Sequence, residues 1–366
     1  LKVMIEMAGK HVLFLHKCFI QGGGVERVHQ NLATALMSQG LQAYFYVHDA
    51  QGASAEGYAQ LNQKFTTFAP APNSGNLAKL RALLNFIKIH NISVIIAATE
   101  TANMLALVCR LCRPSLSVIF TRHCAFDVSD QKLPPWAIKC LYSAYVMVGK
   151  VVAVSASLQA SIKHALVWQK RQVYFVPNAV VSEQIFNLAS LNSDNRTVHR
   201  YFCAVGRLVE QKGFDLLLHA YSKAKKQDPC IPHLVIVGSG EDRLELQTLA
   251  EKLGIGAWVE FTGFTANPYF IIKHAQAFIL SSRHEGMPTV LVEAMALNTP
   301  VIAFDCPTGP AELIQHQQNG LLIENQNIDA LASAMLHYQS LAGKPISDTV
   351  DVFKYNHVAQ AYMALF

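Results

Sequence analysis

The stretch AFILSSRHEGMPTVLVEAMALNTPVIAFD, residues 277–305, decides the fold. It opens on the short apolar run AFIL and passes through a polar turn holding Gly286 and Pro288. TVLVEAMAL then reads as a helix and PVIAFD as a second apolar strand. A strand, a helix and a second strand in that order make a parallel pair covered by its crossover. Two glutamates, Glu285 and Glu293, sit in this otherwise apolar segment with seven residues between them. A carboxylate in such a setting is costly unless it binds something.

Working outward, the same rhythm fills the second half. FCAVGR (202–207), HLVIVGSG (233–240) and WVEFTG (258–263) read as strands. KGFDLLLHAYSKAKKQ (212–227) and EDRLELQTLAEKLG (241–254) read as helices, the second with acids at its positive end. The first half repeats the pattern. HVLFLH (11–16) is a strand, GGG (22–24) a glycine loop, and VERVHQNLATALMSQG a helix ending at Gly40. AYFYVH (43–48), SVIIAA (93–98), SVIFTRH (117–123) and VVAVS (151–155) are further strands. KLRALLNFIKIH (79–90) has helical spacing with Leu80, Leu83, Leu84 and Ile87 on one face, and 135–148 is another helix.

Continuous Val/Ile runs between helices predict parallel sheets buried on both faces. NLASLNSDNRTVHR (187–200) breaks the rhythm and is the expected linker. The expected organisation is two doubly wound α/β domains in series, 1–185 and 199–347, with a closing helix in 348–366 that packs back on the first.

With 366 residues, 51% of them hydrophobic and 15% charged, the chain is long enough for two cores and too apolar for disorder. No apolar run reaches the roughly 18–20 residues of a spanning helix. The opening residues, interrupted by Glu6 and Lys10, do not read as a signal peptide. Of eight cysteines only Cys109 and Cys112 form a CxxC, in an apolar helical run. No second ligand pair accompanies them, so they read as core thiols in a reducing cytoplasm. Residues 1–180 carry 17 Lys and Arg against 7 Asp and Glu, whereas 181–366 carry 13 against 18. A basic first half predicts an anionic partner there. The basic residues are dispersed and no module interleaves them with aromatics, so nucleic acid is not expected. No G-x-G-x-x-G follows the first strand, which argues against an NAD dehydrogenase.

Ligands of open α/β sheets bind beyond the carboxyl ends of the strands. Every polar cluster falls at such an end: GGG, TRH, GRLVEQK, GSG and HEGMP. In GRLVEQKG (206–213), Arg207 and Lys212 bracket a loop that opens a helix, a good diphosphate site or two solvated cations. The bare amides at the start of the 289–297 helix suit phosphate oxygens. Glu285 and Glu293 would then meet the two ends of one extended ligand, as a nucleotide sugar would require. The alternative is a helix-capping Glu and a structural Glu.

EGMPTVLVE (285–293), GRLVEQKG (206–213), GGGVERV (22–28) and VPNAV (176–180) together resemble glycosyltransferase family 4, most closely from 202 to 323 and least in 49–116. The resemblance implies a GT-B fold, two Rossmann-like domains facing across a cleft. It implies a retaining, metal-independent hexosyltransferase using a UDP-sugar. It places Glu285 on the donor hexose as a catalytic-site group, Glu293 on the ribose, and Arg207 and Lys212 on the diphosphate. Gly23 and Gly24 match the glycine loop near the donor phosphate, and His123 matches a histidine near the reacting sugar. Gly238 and Gly240 match the turn beside the nucleotide, and Asn178 orders the interdomain loop.

Thr289 and Val290 would offer amides to the diphosphate. Pro288 has no N–H, so the sugar-contacting amides would be those of Gly286 and Met287. Where many members carry a Gly-Gly pair, this chain has DCPTGPAEL (305–313). Together with EGMP, that wording resembles a bacterial subset that uses UDP-galactose, UDP-glucose or N-acetylated forms in lipopolysaccharide and surface polysaccharide synthesis.

The expected acceptor is a glycolipid or lipopolysaccharide-type saccharide, bound by the basic first half. The expected location is cytoplasmic, at the inner face of an anionic membrane. KLRALLNFIKIH and LPPWAIKCLYSAYVMVGK would lie against that membrane or pack as ordinary Rossmann helices. No cofactor is expected, since no Asp-x-Asp metal motif is evident where one would be needed. A non-catalytic nucleotide-sugar-binding subunit and a GT-B epimerase remain the alternatives.

Overall fold

A computed structural model describes residues 9–20, 22–123, 134–191, 200–341 and 347–366. The chain forms two units. The first comprises Leu1–Val180 with Lys354–Phe366, and the second Val181–Phe353.

In the first unit, strands β1 (His11–His16), β2 (Gln42–Val47), β3 (Thr66–Phe68), β4 (Val94–Ala97), β5 (Ser117–Arg122), β6 (Lys150–Ala153) and β7 (Val173–Phe175) alternate with helices. Those helices are α1 (Gly24–Ser38), α2 (Ala53–Asn62), α3 (Asn76–Ile89), α4 (Glu100–Cys112), α5 (Pro135–Val148) and α6 (Ala156–Ala165). The seven strands form one sheet in the order β3-β2-β1-β4-β5-β6-β7, all pairs parallel. The order reverses direction at β1/β4, which makes the carboxyl ends of those strands a topological switch point. Its central strands, VIIA in β4 and VLFL within β1, are buried on both faces, as their unbroken apolar runs require.

The second unit starts with α7 (Glu183–Ser190) and holds β8 (Tyr201–Val205), α8 (Phe214–Gln227), β9 (His233–Val237), α9 (Arg243–Lys252) and β10 (Val259–Gly263). α10 (Tyr269–Lys273), β11 (Ala277–Leu280), α11 (Thr289–Ala296), β12 (Val301–Asp305), α12 (Pro310–Leu313), β13 (Leu321–Glu324) and α13 (Ile328–Leu336) complete it. Its sheet runs β10-β9-β8-β11-β12-β13, also parallel, and switches direction at β8/β11. Phe202, Ile236, Phe304, Leu218, Tyr221 and Met335 knit its core.

Three expectations are corrected. The stretch 187–200 is not linker from its start: residues to Ser190 belong to α7, which packs on α10, and 192–199 lie outside the described residues. The closing segment is not one helix. A 3-10 stretch, Ser347–Phe353, ends the second unit, and α14 (Tyr355–Met363) returns to the first and packs on α1. The unit boundaries fall accordingly at 180/181 and 353/354. Cys109 is a core thiol, but its partner in the CxxC, Cys112, is exposed. The N-terminal residues 1–8 also lie outside the described residues. No helix among the described residues is long and apolar enough to cross a membrane.

Candidate active site

In the second unit the loops that leave β8 and β11 are stitched together. Both follow strands at the β8/β11 switch point, so their backbones emerge side by side. The Arg283 amide donates to the Gln211 carbonyl (2.8 Å), and Gln211 Nε2 donates to the His284 carbonyl (3.0 Å). Ser281 Oγ donates to the Lys212 carbonyl at 3.0 Å. Gly213 sits at φ +61°, and a Cβ there would lie 2.1 Å from the Ser281 carbonyl oxygen. Only glycine allows both that backbone conformation and that approach.

This stitching brings Lys212 to Glu285. Lys212 Nζ lies 2.6 Å from Glu285 Oε1, and Ser282 Oγ donates to the same oxygen at 2.6 Å. Glu285 is 8% exposed and the Lys212 side chain 17%. Thr308 Oγ1 donates to the Glu285 carbonyl, a further tie on the turn. Next to the pair, Arg283 grips Asp215 with two hydrogen bonds, 2.8 and 2.6 Å, and donates to the Glu210 carbonyl at 2.7 Å. Burial opposes ionisation of Asp215, but the Arg283 hydrogen bonds and charge outweigh it and hold the carboxyl below its usual range. Cys306 is no competing nucleophile: burial first, and the Glu285 charge next, push its thiol up to about 12.

α11 starts immediately after this turn. Its first N–H groups, those of Thr289 and Val290, precede the first intrahelical bonds, which run from Leu291 and Val292 to the Pro288 carbonyl. Gly286 and Met287 are buried in the turn. Glu293 lies inside α11, 3% exposed, on a helix whose other residues from Val290 to Ala296 are also buried. Arg207 is exposed, in contrast to Lys212. Gly238 and Gly240 serve a close approach of two backbones. A Cβ on Gly238 would meet the Gly206 carbonyl oxygen at 1.9 Å, and one on Gly240 the Leu208 carbonyl oxygen at 2.1 Å. Leu208 N–H donates to the Ser239 carbonyl at 2.9 Å, so the 206–208 and 238–240 loops form one rim.

The remaining predicted residues belong to the first unit. Gly23 caps α1, and Gly24 is already its first residue, so the glycine loop is shorter than expected. Gly22 takes φ +73°. Glu26 folds back over Gly23, where a Cβ would meet its carboxylate, and accepts from the Ile20 amide at 3.2 Å. That carboxylate sits at the positive end of the helix.

His123 follows β5 and joins two histidines that sequence reasoning missed. Its Nε2 lies 3.0 Å from Thr121 Oγ1, and its ring packs edge-on against His29 with centroids 5.8 Å apart. His29 Nδ1 lies 3.0 Å from His16 Nε2. Burial, reinforced by repulsion from His123, lowers the His16 pKa to about 3. Burial and both neighbours hold His29 well below 6.5, and burial with the Arg122 charge lowers His123 to about 4. All three are neutral imidazoles at pH 7. Arg122 is itself 2% exposed and reaches Glu100 at 2.6 Å, which also accepts from the Tyr142 hydroxyl at 2.7 Å. Asn178 is buried in the segment after β7.

Two parallel switch-point units, with an acid–lysine pair and helix-start amides at one switch, define an α/β fold of the GT-B type. The model of "Glycosyltransferase Family 4" matches residues 22–184, and that of "Glycosyl transferases group 1" matches 192–341. The chain belongs to the family 4 glycosyltransferases. It is 29% identical over 324 residues to an uncharacterised glycosyltransferase of Haemophilus influenzae, covering 86% of each chain. It is 26% identical to the amylovoran biosynthesis glycosyltransferase AmsD of Erwinia amylovora, covering 83% of each. Among solved structures, Anabaena HepE in complex with UDP and glucose superposes with a TM-score of 0.76 at 20% identity, covering 97% of this chain and 99% of that one.

Proposed function

We propose that the enzyme transfers a hexose (galactose, glucose or an N-acetylated form) from a UDP-sugar to a hydroxyl of a glycolipid or lipopolysaccharide-type saccharide, with retention of configuration and without a metal. The Lys212–Glu285 pair beside the start of α11 carries this reading, because it sets a cation, a carboxylate and free helix amides around one turn. Lys212, Arg207 and the Thr289 and Val290 amides neutralise the departing diphosphate, which is stabilisation of charge that develops in the transition state. Glu285 with the Gly286 and Met287 amides orients the hexose, and Glu293 binds the ribose hydroxyls. The bond from the anomeric carbon to phosphate oxygen breaks, the bond to the acceptor oxygen forms on the same face, and the acceptor proton leaves with the phosphate. The UDP and glucose bound to HepE support a nucleotide sugar, and the AmsD relationship supports a polysaccharide acceptor.

The test is a donor screen. Purified protein is incubated with UDP-, GDP- and ADP-hexoses in EDTA, and nucleotide release is followed for wild type and Glu293→Ala. Release from one UDP-sugar, indifferent to EDTA and reduced by the substitution, is the expected result. Nucleotide binding without turnover, with the saccharide acceptors supplied, would favour a non-catalytic subunit. Conversion of the sugar without transfer would favour an epimerase.

The same enzyme is proposed to work at the inner face of an anionic membrane. Trp136 and Met147 on α5, Leu77 and Ile89 on α3, and Trp168 beside Lys170 and Arg171 are exposed apolar side chains of the basic first unit. Flotation with anionic liposomes should carry the protein upward at low salt and release it at high salt. Absence of salt-sensitive binding would remove this part of the proposal.

A further inference from the structure

The hydrogen bonds around Thr121 determine where His123 carries its proton. Thr121, on β5, has one hydroxyl hydrogen. Its oxygen lies 2.5 Å from the Ala97 carbonyl oxygen on β4. A carbonyl only accepts, so the hydroxyl hydrogen points there. The same Thr121 oxygen lies 3.0 Å from His123 Nε2. With its hydrogen already used, Thr121 accepts from this nitrogen, and Nε2 carries the N–H. A neutral imidazole has one such proton, so Nδ1 is a bare acceptor. Nδ1 is buried and no donor among the described residues reaches it.

The strand end is held firmly enough for this to matter. Asn103 Nδ2, fully buried on α4, donates to the Thr121 carbonyl at 3.1 Å. Arg122, between Thr121 and His123, is pinned by Glu100 at 2.6 Å. A buried acceptor without a donor is destabilising on its own and becomes favourable when a ligand supplies the hydrogen. A neutral acceptor nitrogen suits a hydroxyl group. It cannot donate to a phosphate oxygen.

We propose that Thr121 is a positioning residue that locks His123 in the Nε2–H tautomer, so that Nδ1 accepts a hydrogen bond from a hydroxyl of a saccharide substrate. The saccharide rests on the function proposed above; the tautomer does not. The two are therefore tested separately. Long-range proton–nitrogen NMR of histidine-labelled protein at pH 7 reads the His123 tautomer without substrate, with Thr121→Val and Thr121→Ser beside wild type. The wild type and Thr121→Ser should show the Nε2–H form, and Thr121→Val should lose it or mix the two forms. Turnover of the donor found in the screen should fall about tenfold in Thr121→Val, the worth of one misplaced hydrogen bond, and recover in Thr121→Ser. Thermal melts of the three proteins separate this loss from unfolding.

A wild-type His123 protonated on Nδ1 or on both nitrogens would overturn the lock. So would a Thr121→Val protein that keeps both the tautomer and the turnover. If the wild type shows the Nε2–H form but consumes no sugar donor with acceptors present, the saccharide role falls together with the proposed function.

Discussion

At Gly213 the chain has no room for a side chain and no way to relax. Its φ of +61° disfavours any other residue, and the Ser281 carbonyl occupies the space a Cβ would need. Gly213→Ala should lower stability by about 2 kcal/mol or more, seen as a shifted urea midpoint, and should loosen the Lys212–Glu285 pair. An unchanged midpoint would mean that the two loops are not stitched as described. Lys212→Ala leaves Glu285 with Ser282 as its remaining hydroxyl partner. Uncovering a buried carboxylate costs about 3 kcal/mol, somewhat less here because Lys212 is partly solvated. Turnover should drop on the order of 10²-fold, as for loss of one group that stabilises developing charge. The double variant Lys212→Met with Glu285→Gln should recover much of the stability and none of the turnover. Recovery of both would make the pair purely structural.

At the scale of elements, the histidines joining β1, α1 and β5 make the first unit acid-sensitive. An unfolded histidine takes up its proton near pH 6.5. His16 resists protonation down to about 3, His123 down to about 4, and His29 to well below 6.5. Between these values the unfolded chain binds more protons. Stability is therefore full above about pH 6.5 and is lost as pH falls toward 4, by up to about 1.4 kcal/mol per pH unit for each histidine. Urea titrations from pH 7.5 to 4.5 should trace that decline, and a flat profile would contradict the burial of the cluster.

These elements also show what a sequence can disclose. The central strands were readable because burial on both faces forces continuous Val/Ile runs. The strands without such runs, β3 (TTF), β7 (VYF) and β13 (LLIE), all lie at sheet edges, where one flank is unpaired and three or four residues suffice. In the site, Glu285 and Glu293 stood out because charge in an apolar run is conspicuous, and Lys212 because it follows a strand end and opens a helix. The Arg283–Asp215 clamp and the His16–His29–His123 cluster did not, because their members are separated by 68, 13 and 94 positions and meet only through sheet topology. On α3, Leu83 and Ile87 are buried as expected and Leu80 and Leu84 half-buried, and Phe86, not expected, also turns inward against Tyr44 and Phe68.

For the whole molecule, two units with separate parallel sheets predict two unfolding steps. UDP at about 100 times its Kd should stabilise by about 2.7 kcal/mol whichever step contains its site. The proposed function assigns that step to the unit holding Lys212, Glu285 and Glu293, and the other transition should stay put in calorimetry. A shift confined to the histidine-containing unit would place the nucleotide elsewhere. The charge contrast, 17 basic against 7 acidic residues in the first half and 13 against 18 in the second, leads to a related expectation: salt should affect acceptor capture more than UDP affinity.

The return of α14 to α1 also sets an order of events during synthesis. Leu1–Val180 and Lys354–Phe366 both belong to the first unit, so the second is an insertion within it. As the protein leaves the ribosome, the second unit has its whole sequence before Lys354 appears. The first, although begun earlier, waits for Lys354–Phe366 to cover α1. Val358, Ala359, Tyr362 and Met363 arrive as a latch on a sheet that is already translated. Until then the nascent chain exposes the apolar surface of α1, which is a natural place for a chaperone to hold it.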